Sequence, residues 1–368
     1  MRTMQAALMT APMAPVELTE IQIADPRVGE VLVRVHYCGL CHSDLSFING
    51  HMPAPGPVVL GHEAAGIVEE VGPGVTSVSP GDKVILTPLP NCGHCYFCLR
   101  QQPTLCSVYG SSLMTALLPD GTSPLSRDGQ LVYRGLGTGA FAEYTIMPEV
   151  GVVKVDEDVP LDIACVLGCA VQTGVGAVLN TAKVEEGATV LVMGAGGIGL
   201  AVTQGARIAG ASTIVVSDPV EERREAALRF GATHVVDPST QDVQGYCLGL
   251  TGVGMDYCFE SAGVAALIEL GVNCNRPGGT TVCVGAPPLD QGISFPMATL
   301  FAVSEKKLLG CLLGSSNTQR EVPRLLGLWK AGRLDLEAMV TQQRPLAELD
   351  LAVEDMRAGR GLRTVLAV

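Results

Sequence analysis

A glycine-rich turn between an apolar run and a helical pattern constrains the fold more than any other feature of the sequence. The run "TVLVMGAGGIG" places Gly194, Gly196 and Gly199 in a G-x-G-x-x-G motif. The first glycine makes a tight turn, the second lets the backbone approach a pyrophosphate, and the third lets helix and strand pack closely. The sequence therefore predicts a strand, a turn and a helix whose N-terminus faces a phosphate.

The segments around this turn extend the prediction to a whole domain. The strand-length runs "STIVVSD", "THVVD", "MDYCFES" and "TTVCVGA" alternate with helix-compatible segments such as "PVEERREAALRFG". Strands that alternate with helices predict a parallel, doubly wound sheet. Residues 187–206 are uncharged, but their glycines would interrupt a membrane-spanning helix, so a strand, a turn and a buried helix explain them better.

A carboxylate follows the second predicted strand. Asp218 lies 19 residues beyond Gly199, where a carboxylate binds the ribose hydroxyls of a dinucleotide. Because it would repel the extra phosphate of NADP, it favours NAD. Arg223 and Arg224 could partly offset that repulsion, which makes Arg223 a candidate coenzyme contact, although a solvated helix face is the simpler explanation of both arginines.

The rest of the chain has a different pattern. From about residue 5 to residue 155, short alternating runs such as "VLVRVHY" and "GIVEEV" are separated by Gly and Pro clusters. This is typical of an irregular, mostly β domain. After about residue 312 the sequence returns to helical segments and a terminal strand, "RTVLAV". A chain of 368 residues is expected to form two domains.

Four cysteines form a compact motif. The segment "NCGHCYFCLRQQPTLC" places them in a C-x2-C-x2-C-x7-C pattern: Cys92, Cys95, Cys98 and Cys106. Such spacing lets four thiolates surround one zinc ion. An iron–sulfur cluster is the alternative, but its bacterial signature has a three-residue last spacer and a following proline. Four thiolates leave no open position, which predicts a structural zinc without His94 as a ligand.

The other cysteines are scattered among apolar neighbours. The total of 13 is odd, and a disulfide framework is not expected in a long chain without a secretory signal. We expect the scattered cysteines to be small buried side chains. They are Cys38, Cys165, Cys247, Cys258, Cys274, Cys283 and Cys311.

Charge and the N-terminal sequence exclude several kinds of partner. The net charge is −13 and the pI is 4.9, whereas nucleic acids and anionic membranes attract basic surfaces. The N-terminal segment has one early arginine and is interrupted by Pro12 and Pro15, so it does not resemble a signal peptide. We therefore expect a cytoplasmic protein that acts on a small molecule and binds neither nucleic acid nor membrane.

Nine short segments occur in an order that is typical of one enzyme family. They are "GLCHSD", "GHEAAGIVEEVG", "PGDKVI", the four-cysteine loop, "GTGAFAEY", "LGCAVQTG", "MGAGGIG", "VGAPP" and "GLRTVL". Through them the chain resembles the zinc-dependent medium-chain alcohol dehydrogenase family along nearly its whole length.

The resemblance implies an α/β fold in which a GroES-like β-rich catalytic domain flanks a Rossmann doubly wound coenzyme domain, with the active site in the cleft between them. The implied domains are 1–171, which contains the structural-zinc loop 92–106, the coenzyme domain 172–312, and 313–368, which completes the catalytic domain. The implied reaction is reversible hydride transfer between a primary alcohol or aldehyde and NAD, with two Zn²⁺ ions per chain.

The resemblance also implies the residues of the catalytic zinc site. Cys41, His62 and Cys169 match the three protein ligands, which leave a fourth position for the substrate. Zinc would act there as a Lewis acid. Ser43 matches a hydroxyl that takes the proton of the alcohol. Asp44 and Glu63 match carboxylates that lie around the ligands.

Matched motifs give the remaining coenzyme contacts. Thr173 matches a residue beside the nicotinamide, His42 and Arg363 match pyrophosphate contacts, and Ile198 matches an aliphatic side chain behind the nicotinamide ring. With the motif residues and the "VGAPP" segment, the full set is His42, Thr173, Gly194, Gly196, Gly197, Ile198, Gly199, Asp218, Arg223, Val284, Ala286 and Arg363.

The chain departs from the family in its proton relay. Ser46 stands where several members have a histidine that ends the relay, so the exit route of the proton is not assigned. His51 is close in sequence but out of register, and we interpret it as a turn residue.

The expected substrate pocket is lined by Met52, Pro88 and Leu136. Pro88 replaces an aromatic residue of many members, which suggests space for bulky primary alcohols, including aromatic ones. The glutathione-dependent formaldehyde dehydrogenase branch binds a carboxylate through an arginine just after the cysteine loop, and "CSVYGSS" contains none. That branch is therefore disfavoured. Residues 111–137 resemble an insertion of dimeric members, so a homodimer is expected, with a tetramer as the alternative.

Two other functions remain open from the sequence. A nicotinoprotein of the same fold would keep its NAD and exchange hydride between an alcohol and another acceptor. A non-catalytic zinc and nucleotide-binding redox sensor would need the closed cysteine site but not the open one, so the intact set of Cys41, His62, Cys169 and Ser43 argues against it.

Overall fold

The protein consists of two compact units. The structure, a computed structural model, describes residues 1–53, 55–294 and 298–368. One unit, here called the catalytic unit, comprises Met1–Cys169, Asn317–Gly332 and Leu336–Val368. The other, here called the coenzyme unit, comprises Ala170–Ser316 and Arg333–Asp335.

The strands of the described chain, in order, are β1 (Arg2–Met9), β2 (Glu17–Ile23), β3 (Glu30–Gly39), β4 (Val58–Val59), β5 (Glu63–Val71), β6 (Lys83–Leu86), β7 (Leu125–Arg127), β8 (Gln130–Arg134), β9 (Tyr144–Pro148), β10 (Val152–Lys154), β11 (Thr189–Met193), β12 (Thr213–Ser217), β13 (His234–Val236), β14 (Met255–Glu260), β15 (Asn275–Cys283), β16 (Lys307–Gly310), β17 (Gln342–Pro345) and β18 (Thr364–Ala367).

The helices are α1 (His42–Ile48), α2 (Gly110–Thr115), α3 (Leu161–Ala164), α4 (Ala170–Gly176), α5 (Gly197–Ala209), α6 (Glu221–Phe230), α7 (Val243–Thr251), α8 (Ala265–Cys274), α9 (Ala298–Val303), α10 (Thr318–Lys330) and α11 (Leu349–Arg357). A π-helix, Ala177–Ala182, continues α4.

The catalytic unit is built from two β structures. Strands β1, β2, β7, β8 and β4 form a closed barrel, and a second sheet has the order β10-β6-β5-β3-β18-β17, with β9 also paired to β3. The C-terminal strand β18 pairs antiparallel with β3, with Val365 opposite Gly39. The strand β18 therefore lies between β3 and the edge strand β17, in a sheet that the first hundred residues begin.

Residues 111–137 are an integral part of the barrel. They contain α2, β7 and β8, and β7 pairs with β2 while β8 pairs with β4. Leu125 and Val132 are buried in the same apolar core as Ala6, Val33 and Phe141. Closing a barrel removes its unpaired strand edges. This segment therefore stabilises the barrel and is not a peripheral insertion.

The coenzyme unit contains one parallel sheet of six strands in the order β13-β12-β11-β14-β15-β16. Numbered within the unit this is 3-2-1-4-5-6, the doubly wound order in which ligands bind at the carboxyl ends of the strands. Leu191, Val215 and Cys258 lie in its core. The sequence prediction of alternating strands and helices is confirmed.

The glycine-rich turn has the predicted local structure. It joins β11 to α5, and Gly194 has a φ of 97°, in the left-handed region that favours glycine. A Cβ added at Gly199 would overlap the carbonyl oxygen of Gly194 and lie 2.8 Å from Ser261 Oγ. The strand, turn and buried helix predicted for residues 187–206 are therefore confirmed.

Burial of the scattered cysteines agrees with the sequence for most of them. Cys38, Cys165, Cys247, Cys258 and Cys274 are buried. Cys283 and Cys311 are only half-buried, because they lie at the exposed carboxyl end of the sheet, at the end of β15 and just after β16.

Within the described residues, no single helix is long and apolar enough to cross a membrane, and the consecutive short helical segments Leu161–Gly168 and Ala170–Ala182 pass such a test only when taken together.

The close packing of the turn gives a first prediction. Gly199→Ala inserts a methyl group where no space exists, and overpacking of this kind destabilises by about 1–3 kcal/mol. We expect a thermal unfolding midpoint several degrees below that of the wild type, measured by circular dichroism.

The matched control is Gly249→Ala on α7 of the same unit. Gly249 is exposed and a Cβ there would meet nothing within 4 Å. Because alanine is a better helix former than glycine by about 1 kcal/mol, this variant should unfold at the same or a slightly higher temperature. Equal unfolding temperatures for the two alanine variants would contradict the packing argument.

Candidate metal and coenzyme sites

Cys41, His62 and Cys169 meet in the catalytic unit, as the sequence predicts. Cys41 caps the N-terminus of α1, His62 precedes β5, and Cys169 follows a 3-10 turn. Their ligand atoms and a carboxylate oxygen of Glu63 all lie within 4.8 Å of one another. A Cβ added at Gly168 would lie 3.5 Å from both the Cα of Glu63 and the carbonyl oxygen of His62. This close backbone approach brings Cys169 to the start of β5.

Asp44 orients two of the three ligands. Its side chain is completely buried, and it accepts hydrogen bonds from the backbone N–H of Cys41 at 3.1 Å and of Gly61 at 3.0 Å. Asp44 Oδ1 lies 3.3 Å from His62 Nδ1. Burial lowers the pKa of His62, but Asp44 and Cys41 together raise that pKa well above the ordinary value. The ring is oriented through its Nδ1, which faces Asp44. Nε2 of His62 is thereby left to face a metal.

Glu63 and Arg363 form a buried ion pair beside the ligands. Nε and Nη2 of Arg363 donate to the two carboxylate oxygens of Glu63, the first at 3.0 Å. Both side chains are buried. Burial raises the pKa of Glu63 to about 7, while Arg363 opposes that rise. The predicted pyrophosphate contact of Arg363 would have to use Nη1, the amino group that Glu63 does not engage, and it stays a prediction.

The thiols of Cys41 and Cys169 shift each other's pKa. The neighbouring Cys169 side chain lowers the pKa of Cys41 well below its ordinary value, with Arg363 and His62 acting in the same direction. Cys165, four residues before Cys169, is fully buried, and burial raises its pKa. A thiolate next to an imidazole and a second thiol is the donor set of a three-ligand zinc site, whereas Cys165 stays a protonated core residue.

The four-cysteine loop has the dimensions of a closed zinc site. The Sγ atoms of Cys92 and Cys98 are 4.0 Å apart, and those of Cys95 and Cys106 are 3.9 Å apart. A tetrahedron with zinc–sulfur bonds of about 2.3 Å has edges of about 3.8 Å. The backbone N–H of Cys98 lowers the pKa of Cys95 to about 5, which favours the thiolate that zinc binds. The residues fit one zinc ion.

Histidines near these clusters are not part of them. His94 is exposed, and its Nδ1 lies 2.9 Å from the carbonyl oxygen of Cys92. His51 is also exposed. Ser46 donates a hydrogen bond to the carbonyl oxygen of His42 at 3.0 Å, within α1, so its hydroxyl is already engaged where other members have a histidine.

Ser43 and the predicted pocket residues have different exposures. Ser43 is half-buried, and its Oγ lies 3.8 Å from Cys41 Sγ. Pro88 and Leu136 are buried, while Met52 is half-buried. All three pocket candidates belong to the catalytic unit. Their shared role as substrate walls stays a prediction.

The coenzyme unit offers a cradle for a dinucleotide. A Cβ added at Gly196 would meet no atom within 4 Å, so space for a phosphate exists in front of the turn. Asp218 accepts hydrogen bonds from the backbone N–H of Ala195 at 2.7 Å and of Val220 at 2.9 Å. Each carboxylate oxygen keeps a lone pair with which to accept a ribose hydroxyl. The residues therefore fit NAD.

The two arginines after Asp218 have separate contacts. Arg224 Nη1 donates to the carbonyl oxygen of Asp218 at 2.8 Å and its Nη2 lies 3.3 Å from an Asp237 oxygen. Arg223 is half-buried, and its Nε has no hydrogen-bond partner among the residues that the structure describes. Arg224 thus holds the backbone at the end of β12, and the coenzyme contact of Arg223 stays a prediction.

The expected nicotinamide residues lie on three segments of the coenzyme unit. Thr173 is buried on α4, Ile198 is half-buried on α5, Val284 is buried after β15, and Ala286 is exposed. His42 is an exposed residue of the catalytic unit.

A residue that the sequence analysis missed is Glu260, whose Oε1 accepts N–H groups of Ala262, Gly263 and Val264.

Two cysteine sites of different kinds give a prediction for metal content. The wild type should contain two zinc ions per chain. Cys98→Ser should contain one and unfold at a lower temperature, because one thiolate of the tetrahedron is lost. Zinc per chain is measured by inductively coupled plasma mass spectrometry.

His94→Ala is the matched control in the same loop. It should keep both ions, since His94 bonds a backbone carbonyl and not the thiols. Loss of zinc from the His94 variant, or two ions in Cys98→Ser, would contradict the assignment of the four sulfurs as the ligands.

Family models match both parts of the chain. The model of the alcohol dehydrogenase GroES-like domain matches residues 27–157. The model of the zinc-binding dehydrogenase domain matches residues 197–330. These ranges contain the two cysteine sites except Cys169, and most of the coenzyme unit.

Known proteins are similar over the whole chain. Alcohol dehydrogenase class-3 of Cereibacter sphaeroides is 37% identical and is aligned over 100% of both chains. S-(hydroxymethyl)glutathione dehydrogenase of Escherichia coli O1:K1 is 39% identical over 98% of this chain and 99% of its own. The crystal structure of benzyl alcohol dehydrogenase from Acinetobacter calcoaceticus has a TM-score of 0.94 and 33% identity, and covers 100% of both chains.

The similarity in sequence, the fold of both units and the two metal-ligand clusters agree. The chain belongs to the zinc-dependent medium-chain alcohol dehydrogenase family, and is an NAD-dependent oxidoreductase with two zinc sites.

Proposed function

We propose that the protein catalyses the reversible oxidation of bulky primary alcohols, including aromatic ones, to aldehydes with NAD. The observation that carries this proposal is the cluster of Cys41, His62 and Cys169, which offers three ligands and is oriented by a fully buried Asp44. A three-ligand site keeps one position for a substrate. A non-catalytic sensor would not need such a site.

Each residue near the cluster has a definite task. When bound, zinc supplies a Lewis acid for the substrate oxygen and NAD supplies the hydride acceptor. Asp44 fixes the ring of His62, and the guanidinium of Arg363, held by Glu63, helps to lower the pKa of Cys41. Ser43 Oγ, next to Cys41, accepts the proton of the alcohol while its own hydroxyl proton passes to solvent, to which this half-buried side chain is partly exposed.

The substrate class rests on the walls of the expected pocket. Pro88, Leu136 and Met52 are apolar, and Pro88 leaves the space that an aromatic side chain fills in many members. A structural relative is named benzyl alcohol dehydrogenase, which agrees with an aromatic alcohol. An apolar pocket binds such a substrate chiefly by burying its ring.

A glutathione adduct is a poorer candidate, although the Escherichia coli relative is named S-(hydroxymethyl)glutathione dehydrogenase. The carboxylates of glutathione require a cationic partner, and residues 107–113 contain no arginine or lysine. Arg134 lies further along the chain, in the same unit. Its side chain is only 2% exposed, and it donates a hydrogen bond to the carbonyl oxygen of Gly137. It cannot reach a solvent-borne carboxylate from there.

We also propose that the protein acts as a homodimer in the cytoplasm. Residues 111–137 resemble a segment of dimeric members of the family. A reducing compartment agrees with the free thiols of all 13 cysteines.

Cys169→Ser tests the catalytic site. We expect it to remain folded, to lose one zinc ion, and to lose more than about a hundredfold in kcat/KM, beyond the tenfold to hundredfold effect of losing an outer partner. The measurements are NADH formation, zinc content and circular dichroism.

Cys165→Ala is the control for Cys169→Ser, because it removes a buried thiol that is not in the cluster. It should keep both zinc ions and most of the activity. If Cys169→Ser retains wild-type activity, the proposed catalytic role of the cluster is wrong.

A substrate panel tests the proposed alcohol class. We expect kcat/KM for benzyl alcohol to exceed that for ethanol by about tenfold or more, because each apolar group that fills a pocket contributes about 1–3 kcal/mol. S-(hydroxymethyl)glutathione should be a poorer substrate than benzyl alcohol. A higher kcat/KM for S-(hydroxymethyl)glutathione than for benzyl alcohol would place the chain with the glutathione-dependent branch.

A further inference from the structure

The turn that follows β16 has an unusual backbone. Leu313, Gly314 and Ser315 are three consecutive residues with φ values of 48°, 65° and 50°. Residues with a side chain avoid this left-handed region, so Leu313 and Ser315 need neighbours that hold them there. Backbone outliers of this kind recur at ligand sites, where the surrounding structure over-determines them.

The turn lies against the segments expected to surround the nicotinamide. The N–H of Cys311 donates to the carbonyl oxygen of Cys283 at 3.0 Å, and Val284 follows directly. On its other side the turn packs on α4, where a Cβ added at Gly314 would lie 3.0 Å from the carbonyl oxygen of Thr173. All these groups belong to the coenzyme unit, at the edge where the strands end.

Two side chains from the π-helix Ala177–Ala182 hold the turn. Asn180 Nδ2 donates to the carbonyl oxygen of Gly314 at 3.2 Å. Thr181 Oγ1 lies 2.8 Å from Ser315 Oγ, and it donates to Cys311 Sγ at 3.4 Å. The extra residue per turn of a π-helix re-aims side chains, and such segments are frequent at functional sites.

We propose that Asn180 and Thr181 are positioning residues of the coenzyme site. Their hydrogen bonds hold the Leu313–Ser315 turn in its left-handed conformation, and the turn in turn fixes the end of β16 against the backbone of Thr173. Neither side chain needs to touch NAD. The inference rests on the proposed coenzyme site, because it assigns the nicotinamide to Thr173 and Val284.

Ser315 explains why the turn needs a clamp. Glycine would adopt a φ of 50° without cost, yet this chain has a serine there, whose hydroxyl meets Thr181. The unfavourable φ of Ser315 is therefore offset by the hydrogen bond between its hydroxyl and Thr181. A turn that only connects two elements does not need this hydrogen bond, whereas a turn that must keep one geometry for a ligand does.

Thr181→Val and Ser315→Gly test the proposal in full-length protein. Thr181→Val should raise the dissociation constant for NADH roughly three- to tenfold, the effect of one lost hydrogen bond. Thr181→Ser should restore it to near the wild-type value. Ser315→Gly relaxes the backbone but loses the hydroxyl, so it should weaken NADH binding without lowering the unfolding temperature. Binding is measured by the fluorescence of NADH, and stability by thermal unfolding without coenzyme.

The matched control is Thr189→Val, the same substitution at the amino end of β11, a central strand of the same sheet. Thr189 opens β11, where its hydroxyl donates to Asp256 at 2.9 Å. It should lower the unfolding temperature but leave NADH binding unchanged. If Thr181→Val and Ser315→Gly bind NADH as tightly as the wild type, the positioning role is wrong. If the wild type itself does not bind NADH, the proposed coenzyme site fails instead.

Discussion

The buried ion pair between Glu63 and Arg363 is the constraint on which the rest of the catalytic unit depends. Glu63 begins β5 and Arg363 immediately precedes β18, 300 positions later in the chain. The pair links the start of β5, which follows His62, to the start of β18, and both strands pair with β3 in the same sheet. Breaking a buried pair by removing one partner costs about 3–5 kcal/mol because an uncompensated charge remains. The C-terminal segment is therefore fixed to the metal ligands by charge as well as by strand pairing.

The two cysteine sites gain their order in different ways. Cys92, Cys95 and Cys98 are only half-buried, so their loop has little apolar core and obtains its rigidity from the ion it binds. Cys41 and His62 are each 2% exposed and are held by Asp44. An open site needs this protein scaffold, since three ligands and a variable fourth partner cannot impose their own geometry.

Much of this architecture was predictable from the sequence. Spacing alone identified the four sulfur ligands and the glycine-rich turn, because both depend on local geometry. The meeting of Cys41, His62 and Cys169 came from resemblance, since nothing local relates Cys169 to His62, which lies 107 positions earlier in the chain. Sequence patterns did not reveal that residues 111–137 complete the barrel, because its strands β7 and β8 are short and half-exposed. Sequence patterns also did not reveal that Arg363 donates hydrogen bonds to both carboxylate oxygens of Glu63.

The turn at Leu313–Ser315 shows why such features escape a sequence reading. Its residues "LGS" contain one glycine, and a single glycine predicts a turn but not three left-handed residues in succession. The conformation is set by Asn180 and Thr181, which are more than 130 residues away along the chain. Local preference disfavours Leu313 and Ser315 in this region, so tertiary contacts must outweigh it. Conflict between local preference and observed backbone is itself the signal, and it is visible only once the fold has brought the π-helix and the turn together.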